Sequence, residues 1–314
     1  MPTKIILDCD PGHDDAVAML LAWGSPAIEL VGVTTVTGNQ TIDKVTRNAL
    51  AVAKIAGITG VPFARGAARP LVRPIEIADE YHGDSGLDGP TLPEPDIALD
   101  PRPAAQFIID TVMDAPAGSI TLVPTGPLTN IALAARLEPA IIPLVREVVL
   151  MGGGAHVGNW SATAEYNIAA DPEAASIVFG AGWPVTMVGL DLTHQAIATP
   201  DVVARATAIG TAPARFFGEL MEFFTAAYRD VAGFDHPPVH DPCAVAYVID
   251  PTLFRTVRAP IDIELHGSLT VGMTVVDTRA PAKADCPTQY AADLDVEGFW
   301  ALVIDALQRI GDPA

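Results

Sequence analysis

The 314-residue chain predicts an α/β fold: a single-domain Rossmann-like open sheet, mostly parallel, with helices on both faces and a small antiparallel extension near the C-terminus. Three observations carry that prediction. Short β-branched or aliphatic runs such as Ile5-Ile6-Leu7 and Leu30-Val31-Gly32-Val33-Thr34-Thr35-Val36 read as buried parallel strands. Amphipathic segments separate these runs in repeated strand-helix alternation. Polar turns rich in Asp, Asn and Gly follow the strands, at the carboxyl edge where open α/β sheets bind ligands. Half of the residues are hydrophobic, so one domain over residues 1–314 can bury a substantial core.

The first element ends in the densest polar turn of the chain, Asp8-Cys9-Asp10-Pro11-Gly12-His13-Asp14-Asp15-Ala16. Pro11 and Gly12 punctuate the turn, and Asp14-Asp15 open an amphipathic helix. Four carboxylates thus meet where a strand's carboxyl end faces a helix's amino end. Two carboxylates about 6 Å apart repel by roughly 3 kcal/mol at an effective dielectric of about 20, so their convergence calls for a cation. Asp10, Asp14 and Asp15 together suit a hard divalent ion such as Ca²⁺ or Mg²⁺. Asp8 reads as a cap of the turn, and His13 as structural.

The next strand closes on Thr37-Gly38-Asn39, which brings Asn39 to the same edge. Thr41 caps a helix stopped by Gly57, and a short strand near Val61-Pro62-Phe63 follows. Residues 65–103 break the alternation; a stretch this long with Pro, Gly and Asp, here carrying Tyr81-His82-Gly83, reads as a functional loop. A helix over 104–113 leads to strand Ser119-Ile120-Thr121-Leu122-Val123, and Pro127 starts the following helix, leaving the Thr125 carbonyl outside the ladder. Glu147-Val148-Val149-Leu150-Met151 is the next strand, and Gly152-Gly153-Gly154 permits close backbone approach. Asn159, Glu165 and Asn167 then lie in an irregular segment suited to a polyol. Residues 184–190 form a strand, helices follow over 201–208 and 214–228, and Tyr228 ends the second ahead of Pro238-Val239-His240-Asp241-Pro242. Residues 254–290 alternate like antiparallel strands, and 296–310 close the chain as a helix.

Eighteen basic against 38 acidic residues leave a net charge of −20, which disfavours phosphate backbones and anionic membranes as partners. No apolar run of about 18 residues lacks Pro, Gly or charge. With no basic-then-apolar leader visible, a cytoplasmic location is expected. Three cysteines without metal-ligand spacing are small hydrophobes rather than a disulfide framework.

The first acidic turn resembles the amino-terminal signature of the inosine–uridine preferring nucleoside hydrolases, and Pro238-Val239-His240-Asp241-Pro242 resembles their second signature. Thr125-Gly126-Pro127-Leu128-Thr129-Asn130 and Met151-Gly152-Gly153 match in the same order. The resemblance implies a Rossmann-like Ca²⁺ enzyme that commonly assembles as a homodimer or homotetramer. It implies side-chain ligation of Ca²⁺ by Asp10, Asp15 and Asp241 and carbonyl ligation by Thr125. It also implies ribose contacts from Asp14, Asn39, Glu165 and Asn167, a 5′ contact from Asn159, and Met151 packed below the sugar.

The expected reaction is hydrolysis of the N-glycosidic bond of a ribonucleoside, with Asp10 taking the proton of a water made more acidic by the ion. His240 is the expected proton donor to the leaving base, with His82 second. Purine-specific members sandwich the base between tryptophans. Tyr81-His82-Gly83 stands in the corresponding loop and favours inosine–uridine breadth or pyrimidines, with Tyr228 facing the base and Trp160 near the pocket. A non-catalytic nucleoside or ribose binder on the same fold is the competing reading.

Overall fold

The computed structural model describes residues 1–311. In chain order its elements are β1 (Thr3–Cys9), α1 (His13–Gly24), β2 (Ile28–Thr35), α2 (Ile42–Ala56), β3 (Phe63–Arg65), α3 (Asp79–His82), α4 (Ala104–Asp114), β4 (Ile120–Pro124), α5 (Thr129–Leu137) and β5 (Val145–Met151). Then come α6 (Tyr166–Ala170), α7 (Pro172–Gly180), β6 (Val185–Val188), α8 (Leu190–Thr193), α9 (Pro200–Thr207), α10 (Ala212–Ala232), α11 (Pro242–Ile249), β7 (Phe254–Arg258), β8 (Ile261–Ile263), β9 (Thr274–Val276), β10 (Thr288–Leu294) and α12 (Val296–Gly311).

The main sheet runs β3-β2-β1-β4-β5-β6-β10-β7, parallel except for β7 at one edge. Its first six strands have the doubly wound order that reverses at β1: β2 and β3 are laid down on one side, and the chain then crosses back to place β4, β5 and β6 on the other. The crevice at that reversal is where such sheets bind ligands. Asp10, Asn39 and Thr125 follow β1, β2 and β4 at that point. Buried apolar side chains cover both faces: α1, α10, α11 and α12 pack one, and α4, α5 and α7 the other. Among the described residues no helix is long and apolar enough to cross a membrane.

Three local expectations change. Strand β3 begins two residues later than expected, because Val33 pairs with Phe63 and its N–H takes the Pro62 carbonyl. Thr41 occupies the N-cap position of α2, but its side chain makes no cap hydrogen bond. The 254–290 segment forms two antiparallel pairs, β10 with β7 and β8 with β9, yet β10 also joins the main sheet parallel to β6. Alternation marks a strand's faces and says nothing of its partners. The long 65–103 stretch contains one short helix, α3, which lies over the sheet's carboxyl edge.

Candidate active site

Four carboxylates gather beneath this edge. Asp15, in the first turn of α1, accepts on Oδ1 from Thr125 Oγ1 (2.8 Å) and the Asp10 N–H (3.3 Å). Its Oδ2 accepts from the Gly12 N–H (3.1 Å) and Asn39 Nδ2 (3.1 Å). Asp10 receives the Asn39 N–H on Oδ2 at 2.7 Å, while its Oδ1 is buried without a partner. Asp241, from the mouth of α11, arrives from the far end of the chain. Asp14, Asp15 and Asp241 each present an oxygen within 4.8 Å of the others, and all three are buried. Asp10 is oriented beside them by Asn39, and Asp14, which the resemblance assigns to the ribose, shares the carboxylate cluster.

Burial drives the electrostatics. It pushes Asp14 up to about 7, with the Asp15 charge adding to the rise. Burial also raises Asp15, and lifts Asp10 and Asp241 well above the usual carboxylate range with help from their acidic neighbours. Buried like charges without a counter-charge retain protons. Oxygen donors only, a buried unpartnered Asp10 Oδ1 and three converging carboxylates fit a hard divalent cation.

Asp8 corrects the sequence reading in kind. It does not cap the turn: its Oδ1 accepts from Thr34 Oγ1 (2.6 Å) and Asn130 Nδ2 (2.8 Å), tying β1 to β2 and to α5.

Above the carboxylates opens a cavity with about 540 Å³ free of protein atoms, counting its mouth. Asp14, Asn39, His82, Thr125, Met151, Asn159, Glu165, Asn167, Tyr228, His240 and Asp241 all line it, while Asp10 and Asp15 sit beneath. Asn167 bridges two strand ends, donating Nδ2 to the carbonyls of Thr125 (2.7 Å) and Met151 (3.2 Å). Asn159 accepts the Tyr166 N–H on Oδ1 (2.9 Å), which turns its amide group into a donor. Glu165 caps α6 through the N–H groups of Asn167 and Ile168 and also holds the Gly153 N–H (2.8 Å). Burial raises it to about 7.

One wall is built of titratable rings. His240 is linked by Nδ1 to Thr193 Oγ1 (2.7 Å) and by Nε2 to the Tyr228 hydroxyl (2.8 Å). Burial pushes it down to about 3, with His194 adding to the shift. His240 is therefore neutral near pH 7, not the half-charged donor its ordinary value suggests. His82 is buried on α3, its Nδ1 3.1 Å from His13 Nδ1. The His13 ring stacks on Phe223 and Phe224, with centroids 5.0 Å apart in each case.

A profile described as inosine-uridine preferring nucleoside hydrolase matches residues 5–301. The chain belongs to the inosine-uridine preferring nucleoside hydrolase family. The enzyme of that name from Crithidia fasciculata is 60% identical over 314 residues, covering 100% of each chain. Its namesake from Leishmania major is 58% identical over 317 residues, again covering 100% of each. A solved purine-preferring ribonucleoside hydrolase from Gardnerella vaginalis, 33% identical, superposes with a TM-score of 0.92 over 98% of this chain and 99% of that one. Within this nucleoside hydrolase, the sequence reading missed Ala78 and Tyr166 as lining residues. Tyr166 stands between Glu165 and Asn167, and that position was the available signal. Tyr81 and Trp160, expected at the base loop and near the pocket, both line the cavity.

Proposed function

We propose that this nucleoside hydrolase is a Ca²⁺-dependent enzyme that cleaves the N-glycosidic bond of inosine, uridine and cytidine to free base and ribose. The observation that carries this reading is the buried convergence of Asp14, Asp15 and Asp241 beside the unpartnered Asp10 Oδ1, at the floor of a cavity rimmed with amides. Asp10, Asp15, Asp241 and the Thr125 carbonyl would hold the ion, with Asp14 beside them. Calcium, when bound, would offset the repulsion among the carboxylates, hold vicinal ribose hydroxyls and make water more acidic.

The chain's own residues do the rest. Asp10 accepts the proton of the attacking water through its free Oδ1. The acidic floor stabilises the positive charge that develops on the sugar as the base leaves. Asn39, Asn167 and Glu165 orient the ribose, with Asn159 donating to its 5′ oxygen and Met151 packing beneath. Tyr228 presents its hydroxyl to the base and gives up that proton as the C–N bond breaks. The phenolate left behind is held by the Nε2–H of neutral His240, whose Nδ1 accepts from Thr193, and is reprotonated from solvent while Asp10 releases to solvent the proton it took from water. His82 closes over the base from α3. The rings of Tyr81, His82 and Tyr228, without a tryptophan pair, support breadth across hypoxanthine and pyrimidine bases.

The test is ribose release from the three nucleosides in calcium and after exhaustive chelation. Turnover that survives complete removal of divalent ions overturns the calcium reading. Binding of nucleoside without release over hours overturns hydrolysis itself. Assembly as a homodimer or homotetramer is part of the proposal and is read by light scattering.

A further inference from the structure

Trp160 has an unusual position, lining both the nucleoside cavity and a separate groove of about 960 Å³ free of protein atoms, counting its open side. Its indole is held at this partition, edge-on to Tyr166 with ring centroids 5.2 Å apart. Tyr166 is itself fixed, donating its hydroxyl to the Glu76 carbonyl at 3.0 Å. Because the ring lines both spaces, its removal takes away part of the wall between them.

The end of a bound nucleoside that would face this partition follows from the site's chemistry. Vicinal hydroxyls go to the oxygen-rich floor, and the leaving base must reach the proton-carrying flank of Tyr228, His240 and His82. The remaining end, the 5′ carbon, then points to Asn159 and Trp160. Asn159 holds the Tyr166 N–H on its carbonyl oxygen, which orients the amide and leaves its NH₂ group as donor. A donor serves an ether oxygen as well as a hydroxyl.

The groove selects by charge. Arg73 is held by both carboxylate oxygens of Glu173 (3.0 and 2.8 Å) and by the Leu265 carbonyl (3.2 Å), so it has no charge to spare for an anion. Pro74, Ala169, Leu269 and Val271 give the groove apolar surface interleaved with the neutral polar Ser161 and Ser268, and Glu76 adds negative charge.

We propose that Trp160 is a specificity gate: it closes the 5′ end against neutral 5′-O-substituted nucleosides, and the groove behind it is the space such a substituent would fill. The inference rests on the nucleoside hydrolase reading above, and the experiment separates the two. Steady-state kcat/KM is measured for inosine, 5′-O-butylinosine and inosine 5′-monophosphate with the full-length enzyme, Trp160→Ala and Trp160→Phe. Wild type should discriminate against the butyl ether, and Trp160→Ala should narrow the ether-to-inosine ratio by at least about tenfold, the scale of a few methylenes finding or losing a pocket. Trp160→Phe, which keeps a ring at the partition, should keep the wild-type ratio. Inosine 5′-monophosphate should remain excluded in all three. An ether-to-inosine ratio unchanged in Trp160→Ala, or an equal gain for the monophosphate, overturns the gate while inosine turnover persists. Loss of inosine turnover in the wild type instead overturns the parent reading.

Discussion

Replacing Asp241 by Asn should make the calcium-free protein more stable while abolishing its response to calcium. At 4.8 Å, the limit of the separations among the Asp14, Asp15 and Asp241 oxygens, each ionised pair costs roughly 3.5 kcal/mol at an effective dielectric of about 20. Three such pairs are too costly to sustain, which is why burial and mutual repulsion raise these groups and Asp14 sits at about 7. Asp241→Asn removes one member of two pairs and costs no helix cap, since the Asp241 side chain makes no cap bond to α11. After proton uptake relieves most of the repulsion, a net gain of about 1–3 kcal/mol remains, or about 2–5 °C for a chain of this length. In wild type, calcium at about 100 times its Kd should add about 2.7 kcal/mol, or about 4 °C.

The pH dependence follows in sign. An acid whose folded pKa is raised stabilises the fold below its unfolded pKa and loses that contribution as pH rises through the folded value. Chelated wild type should therefore melt lower at about pH 8 than at about pH 6, and the calcium increment should be larger at the higher pH. Differential scanning calorimetry with chelator and with calcium reads all of these. The reasoning fails if Asp241→Asn lowers the melting temperature in chelator, or if calcium stabilises variant and wild type equally.

Three further outcomes are expected. His240→Ala should slow inosine by about 10²–10⁴-fold while sparing p-nitrophenyl riboside, whose leaving group needs no proton; equal losses in kcat on both substrates would remove His240 from proton transfer. Gly126→Ala would set a methyl against Asp10 Oδ1 and Gly38→Ala another against Oδ2, so each should cut kcat/KM for inosine by more than about tenfold. Unchanged kinetics in both would show that Asp10 need not be clamped. Thr274→Val deletes bonds to both the N–H (2.9 Å) and carbonyl (2.6 Å) of Gly154, and should cost about 1–3 kcal/mol in denaturant unfolding and raise KM more than it lowers kcat, with Thr274→Ser restoring both.

The parallel sheet was legible because its strands are bounded by strong local signals. Continuous β-branched runs mark β2 and β5, Gly57 in the left-handed conformation ends α2, and Pro172 and Pro242 open α7 and α11. The acidic turn was equally plain, since Asp10, Asp14 and Asp15 lie within six residues of one another. Thr274 gave no such sign. Its role depends on the β8–β9 ribbon folding back 120 residues to hold Gly154. Tyr166 was hidden in the same way, an aromatic whose hydroxyl finds its partner 90 residues earlier.

The order of residue types along the chain determined the sheet's class, its ligand edge and the acidic character of the site, because these follow from periodicity, turn chemistry and charge within a few residues. Tertiary structure alone decided that β10 joins β6, that Asp241 comes within reach of Asp14 and Asp15, and that His240 is neutral. Strand partners are chosen by packing over whole faces, and a side chain's proton affinity by how completely distant elements strip it of water.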